Sequence, residues 1–273
     1  MLHELDRMTY KEVEEYLASG KGMIILPVGA TETHATHGPL GTDTFAATLV
    51  SRKVAEKLGA ILAPSLPYGM SDDQIDFRGT ITFSPRMLSK VIKEIVGNFI
   101  RDGYLLVLVI SGHRSNDWPC ITGLMEARGE SNSHLLYMSY QDANRGRLVQ
   151  VLGPENAGKI TEIDQKYGAD GHAGSMELSL AMAYSPGCVR LEKRSIPDRT
   201  LPDALRSMPF RSVMFIEEWM PSDGFMGDPS LCSEELGHRI AENTSTYIAE
   251  KVRDYLRVFG GRKRRTPPPI SLK

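Results

Sequence analysis

The stretch Glu32-Thr33-His34-Ala35-Thr36-His37-Gly38-Pro39-Leu40-Gly41-Thr42-Asp43 gathers two carboxylates and two imidazoles within one short segment. It directly follows the apolar run Met23-Ile24-Ile25-Leu26-Pro27-Val28-Gly29. Nitrogen and oxygen donors without sulfur suit Zn, Mn or Fe. The segment holds one carboxylate more than a single closed site needs, which admits a two-metal centre. Ligands in a loop after a buried strand belong at the carboxyl edge of an α/β sheet, where open sheets of this class place their chemistry.

Of the 7 histidines, His34, His37, His113 and His172 lie in glycine-containing loops. Two of those loops follow strong strand candidates. A lone loop histidine usually makes a hydrogen bond and nothing more; four so placed point to a shared site. In an extended segment Glu32 and His34, two residues apart, lie on the same face. Asp43 stands at a helix start, where a carboxylate often serves only as a cap or dipole partner. A short carboxylate can also bridge two cations, one oxygen to each.

These residues need elements to position them. Thr9-Tyr10-Lys11-Glu12 is a capping box, so a helix is expected over 10–19. Residues 23–28 read as a buried strand. A helix starts at Thr42 or Asp43, with Ala46, Leu49, Val50, Val54 and Leu58 on one stripe. Residues 60–63 form a short strand closed by Pro64. Ser84-Pro85 caps a helix on which Leu88, Val91, Ile92, Ile95, Val96 and Phe99 recur at helical spacing. Residues 104–110 are too apolar for an edge strand and belong mid-sheet, with Ser111-Gly112-His113-Arg114-Ser115-Asn116 as their loop. Residues 134–138 are a further strand, 144–164 are helical in part, and 168–174 form a glycine-rich loop before a helix holding Met176 to Ala183. Residues 186–231 are irregular apart from a strand candidate at 213–216. The last helix spans 233–259, buries Leu236, Ile240, Tyr247, Ile248, Val252, Tyr255, Leu256 and Phe259, and is capped by Gly260. Such alternation predicts βαβ units: a single α/β domain over 1–260, with a mainly parallel sheet flanked by helices on both faces. Residues 261–273, with Arg262-Lys263-Arg264-Arg265 and three prolines, read as a disordered basic tail.

The chain has 273 residues, 41% of them hydrophobic and 24% charged, with a formal net charge of −2. No global field draws it to nucleic acid or an anionic membrane. Its 3 cysteines form no CxxC pair, which fits a reducing compartment. Residues 1–20 lack an apolar signal core, and no run approaches the roughly 18 to 20 apolar residues that span a bilayer. A cytoplasmic protein with a small-molecule substrate is the expectation, without nucleic-acid or membrane partners.

Residues 27–34 (Pro-Val-Gly-Ala-Thr-Glu-Thr-His) and 39–44 (Pro-Leu-Gly-Thr-Asp-Thr) resemble the signature of the creatininase (creatinine amidohydrolase) family. Leu66-Pro67-Tyr68-Gly69 with Phe77-Arg78-Gly79-Thr80-Ile81 is similar to a substrate-side loop of that family. Residues 110–116 resemble its N-G-H-x-x-N loop, and 172–179 its H-A-G-x-x-E-T-S motif. Gly227-Asp228-Pro229, with Glu235 and Gly237, resembles a weaker late motif. The ordered set spans roughly residues 5 to 255.

The resemblance implies a single α/β domain holding two divalent ions (Zn, Mn or Fe). Glu32, Asp43 and His113 would hold one ion, and His34 and Asp43 the other, with Asp43 bridging. In creatininase a glutamate two residues after the loop histidine completes the second site; here that position is Ser115. Glu177 is the candidate to replace it, or to act as general base. His172 is the candidate proton donor or orienter. Tyr68, Arg78, Arg114, Ser115 and Asp170 are the substrate-side candidates, the arginines suited to an anionic group. Ser111 for Asn, Leu178 for Thr, Ala35-Thr36 for Gly-Pro and Arg114-Ser115 for Gly-Gly depart from the family near the substrate, which separates the chain from creatinine more than from metal. The implied activity is cleavage of a C–N bond in an amide, cyclic amide or formamide. A water shared by the two ions would have its pKa drawn from about 15.7 toward roughly 7, and one ion would stabilise the tetrahedral oxyanion. Alternatives are a metallohydrolase of a lactone, phosphoester or keto-sugar C–C bond, or a non-catalytic binding protein on the same fold. Family members commonly form rings of identical subunits, so a homo-oligomer such as a hexamer is implied.

Overall fold

Period-2 alternation on the central strands builds two apolar layers. The computed structural model describes residues 2–129, 131–167, 171–194 and 224–261. In chain order its strands are β1 (His3–Glu4), β2 (Met23–Val28), β3 (Ile61–Leu62), β4 (Leu106–Ser111) and β5 (His134–Ser139). All neighbours pair in parallel, in the order β1-β3-β2-β4-β5. Ile24, Leu26, Val28, Val107 and Val109 point to one face. Ile25, Leu106, Leu108 and Ile110 point to the other, as successive strand residues must.

Helices cover both faces. Helices α1 (Tyr10–Ala18), α3 (Pro85–Asp102) and α4 (Asp117–Ala127) close the first layer with Tyr16, Leu88, Ile92, Val96, Phe99, Cys120 and Leu124. Helices α2 (Thr42–Leu58), α5 (Tyr140–Asn144), α6 (Leu148–Leu152), α7 (Pro154–Tyr167), α8 (Ser175–Tyr184) and α9 (Glu234–Phe259) supply the second. The expected capping box is present at Thr9 and Glu12, and Ser84 caps α3 with Pro85 at its first position.

Several boundaries differ from expectation. The short third strand is Ile61–Leu62. The mid-sheet strand starts at Leu106 rather than Tyr104: the Leu105 and Leu106 N–H groups share the Gly22 carbonyl, and regular pairing begins at Met23 and Leu106. On α9, Leu236, Ile240, Ile248 and Val252 are buried, but Phe259 is exposed at the last turn. The strand candidate at 213–216, Asp170, and the basic run at 262–265 lie outside the described residues.

The connections set the location of the site. From β2 the chain runs through α2 to β3 on one side, and from β4 through α4 to β5 on the other. Adjacent parallel strands whose connections diverge open a crevice at their carboxyl ends. Val28 and Ser111 are paired at that edge. The loops bearing Glu32, His34 and His113 therefore emerge side by side.

Candidate metal centre

Three carboxylates and three imidazoles meet in the crevice. Glu32 and His34 are fully buried, Asp43 is 2% exposed, and His113, His172 and Glu177 are 7–8% exposed. Their donor atoms form two groups, Glu32–Asp43–His113 and Glu32–His34–His172, each within 4.8 Å. The residues come from four segments: the loop after β2, the first turn of α2, the loop after β4, and the segment entering α8.

Glu32 and His34 converge on one side, as residues two apart in an extended segment do, before the chain kinks. Thr31 bridges Ile81, Glu32 N–H donates to the Leu40 carbonyl (3.0 Å), and Gly38 N–H donates to the His34 carbonyl (2.9 Å). Ala35 closes the kink at φ 58°. Ala173, directly after His172, has φ 53°. Left-handed backbone costs a non-glycine residue about 1–2 kcal/mol, and such strain gathers at functional sites.

Asp43 lies between two imidazoles. Its Oδ1 is 3.5 Å from His34 Nε2, and its Oδ2 is 3.3 Å from His113 Nδ1. Glu177 Oε2 is 3.7 Å from His34 Nε2. Glu32 Oε1 is 3.2 Å from His113 Nδ1 and 3.8 Å from His172 Nδ1.

The far nitrogen of each ring settles what the near one carries. His113 Nε2 donates to the Met70 carbonyl at 2.7 Å, His172 Nε2 to the Thr33 carbonyl at 2.8 Å, and His34 Nδ1 to the Glu32 carbonyl at 3.3 Å. A carbonyl oxygen only accepts, so in a neutral ring these nitrogens hold the proton. The near nitrogens then aim lone pairs at carboxylate oxygens. That contact is repulsive unless a cation or a proton lies between. Glu32 Oε2, His34 Nε2 and Asp43 Oδ2 are buried without a hydrogen-bond partner. The donor set and its committed outer nitrogens fit divalent ions.

Protons take that place when cations are absent. Burial pushes the His34 imidazole down, but Asp43, Glu177 and Glu32 outweigh it and lift it to about 9. Burial likewise opposes the charge on His113, yet Glu32 and Asp43 hold it well above its ordinary value. Burial alone would raise Asp43; His34 and His113 hold it below the usual carboxylate range. Burial and the His34 charge keep His172 neutral, down to about 4. Burial lifts Glu177 to about 8.

Outer contacts fix the loops. Gly112 is packed on α2 so closely that a Cβ there would lie 2.0 Å from the Asp43 carbonyl oxygen. Asn116 donates to the Gly29 carbonyl (2.9 Å) and accepts from Met70 N–H (2.9 Å), tying the β2 and β4 loops together. His172 and Met226 exchange backbone hydrogen bonds. Ser175 donates to the Asp228 carbonyl, which gives the late glycine-aspartate-proline motif a tethering role. Glu177 Oε2 accepts from Ala173 N–H at 3.0 Å. His37 sits apart from the cluster, facing the Ala173 carbonyl at 3.2 Å and meeting Phe225 edge-on.

The substrate-side candidates are more dispersed. Tyr68 is 38% exposed and meets Phe83 edge-on. Arg78 is exposed, and Ser115 is half-buried in a 3-10 turn. Arg114 is exposed and pairs loosely with Asp142 at 3.8 Å. Gln74, which no motif marked, is 2% exposed and donates to Glu32 Oε1 at 2.9 Å. Its only sequence signal was a polar residue amid the aspartates of the 72–76 loop.

The family model Creatininase (creatinine amidohydrolase) matches residues 6–252. The chain is 29% identical to a creatinine amidohydrolase of Pseudomonas putida, covering 90% of this chain and 95% of that protein. It is 30% identical to a mycofactocin precursor peptide peptidase of Mycobacterium tuberculosis, covering 82% of each. A solved creatininase in a manganese form superposes with TM-score 0.78 at 26% identity, over 93% of this chain and 98% of that one. The chain therefore belongs to the creatininase family of hydrolases.

Proposed function

We propose that the chain is a metal-dependent amidohydrolase that cleaves a C–N bond of a small molecule at the Asp43 crevice. The observation that carries this reading is the trio of imidazoles whose outer N–H groups are committed to carbonyls while their inner nitrogens face carboxylates. Glu32, Asp43 and His113 would hold one divalent ion. His34, Asp43 and Glu177 would hold the other, with Glu177 in place of the donor that Ser115 cannot be. Bound ions would supply a Lewis acid and a water acidified toward pKa about 7.

The chain's own residues do the rest. Asp43 presents one oxygen to each half of the site. His172 keeps its Nε2 proton on the Thr33 carbonyl, so its Nδ1 is the acceptor that takes a proton from the attacking water and returns it to the leaving nitrogen. The closed backbone around Glu32 and His34 excludes bulk water from the buried carboxylates. The relatives named above, a creatinine amidohydrolase and a precursor peptide peptidase, support the amide class; a match of 31% identity over 107 residues to a 3-dehydro-scyllo-inosose hydrolase of Thermotoga maritima keeps the keto-sugar as the alternative. Ser111, Arg114 and Ser115 set the substrate apart from creatinine.

The test combines metal analysis with a substrate panel of cyclic amides, formamides, short peptides, a lactone and a keto-sugar. Two divalent ions per chain and turnover confined to C–N bonds are expected. Asp43→Ala should lose both ions and at least about 1,000-fold in kcat, beyond what one oxyanion donor contributes. Retention of both ions and full turnover would falsify the bridging role.

A further inference from the structure

Among the described residues, the loop from Met70 to Gln74 hydrogen-bonds two of the three ligands of one candidate ion, His113 and Glu32, and neither His34 nor Glu177 of the other. The Met70 carbonyl fixes the ring of His113. Gln74 Nε2 donates to Glu32 Oε1 at 2.9 Å. The loop is itself held: Met70 N–H donates to Asn116, Ser71 N–H to Thr82, and Gln74 N–H to the Ser71 carbonyl.

We propose that Gln74 is a positioning residue that sets the affinity of the Glu32–Asp43–His113 ion independently of its neighbour. This rests on the two-ion reading above. The amide orientation follows from chemistry: turned over, Gln74 Oε1 would face Glu32 Oε1, acceptor against acceptor. A neutral donor orients the carboxylate without neutralising it, so Glu32 keeps its full charge for a cation. Lysine or arginine at this position would compete with the ion. Gln74 Oε1 is itself buried without a hydrogen-bond partner, an expense that an apolar residue filling the same space would avoid. A residue kept only for packing has no reason to incur it. Outer donors of this kind typically change metal affinity by about 10–100-fold.

The experiment measures Mn2+ and Zn2+ content and binding isotherms for the wild-type protein, Gln74→Leu and Gln74→Glu, with the melting temperature of each in EDTA. Wild type tests the two-ion reading: one ion or none overturns that reading, whatever the variants do. With two ions in wild type, Gln74→Leu is expected to weaken one binding step by about 10–100-fold and leave the other within twofold. Gln74→Glu sets a carboxylate against Glu32, so it should not restore the isotherm of wild type. Unchanged isotherms for Gln74→Leu, or equal weakening of both steps, overturn the proposal. A lower melting temperature in EDTA with both steps intact assigns Gln74 to packing and overturns it as well.

Discussion

At the amino ends of β2 and β4, polar groups find ordinary partners. Tyr16 Oη accepts from Met23 N–H (3.3 Å) and lies 2.9 Å from the Met23 carbonyl, and the Gly22 carbonyl accepts from both Leu105 and Leu106 N–H groups. The unpartnered atom there is Tyr104 Oη, a neutral phenol that burial pushes up to about 12. At the carboxyl ends of the same strands, Glu32 Oε2, His34 Nε2 and Asp43 Oδ2 are unpartnered, and two alanines are left-handed. Both ends are buried; the carboxyl end concentrates ionisable groups. The difference teaches that burial by itself does not mark a site. What marks it is a set of charged groups oriented toward one another, and the apolar layers behind them must stabilise the arrangement.

Stability and turnover should therefore separate by position. After the Asp43 substitution, the largest expected effect is on stability alone. Leu108→Ala removes a side chain 1% exposed in the second apolar layer and should cost about 2–5 kcal/mol. Denaturant melts would show the loss, while metal content and kcat of the remaining folded protein stay unchanged. A selective loss of metal would break the contrast between the two ends.

A smaller effect concerns pH. The folded pKa of His34 is raised to about 9, that of His113 is also raised, and Glu177 is raised to about 8. In each case the folded state binds more protons than the unfolded state. The histidines' contribution is complete below about pH 6.5, their ordinary value, and is lost as pH rises toward 9. Glu177 acts in the same direction. Melting temperatures in EDTA should fall across this window, whereas excess Mn2+ should hold them up, because cations replace the departing protons. Parallel curves with and without metal would contradict the shared location of protons and ions.

The smallest effect is expected at the rim. Arg114 pairs with Asp142 at 3.8 Å, both largely exposed, and such pairs contribute at most about 1 kcal/mol. Arg114→Ala should leave stability within about 0.5 kcal/mol. If the guanidinium meets an anionic substrate, KM rises for that substrate and kcat stays; an unchanged KM across acidic and neutral amides removes Arg114 from recognition.

Much of the frame was legible in the sequence because its signals are local. The alternation on β2 and β4, the Thr9 and Ser84 caps, and the helical stripe from Leu88 to Phe99 each depend on neighbours a few residues away. The carboxylates and imidazoles were visible as residue types in loops after strands. Their mutual facing was not, because the groups that meet lie far apart in the chain, as His113 and Glu32 do. Gln74 was missed for the same reason: its partner is 42 positions away, and no periodicity encodes that contact. The exposed positions of Arg78 and Arg114 depend on loop trajectories that local spacing does not define.

The approach of Gly112 to the Asp43 carbonyl has a consequence for metal choice. With no room for a side chain at that crossing, helix α2 rests directly on the main chain leading to His113. The gauge between the Asp43 carboxylate and the His113 ring is thereby inherited from the backbone. Exchanging one divalent element for another of different radius must be absorbed by side-chain torsions, and the scaffold acts as a fixed ruler.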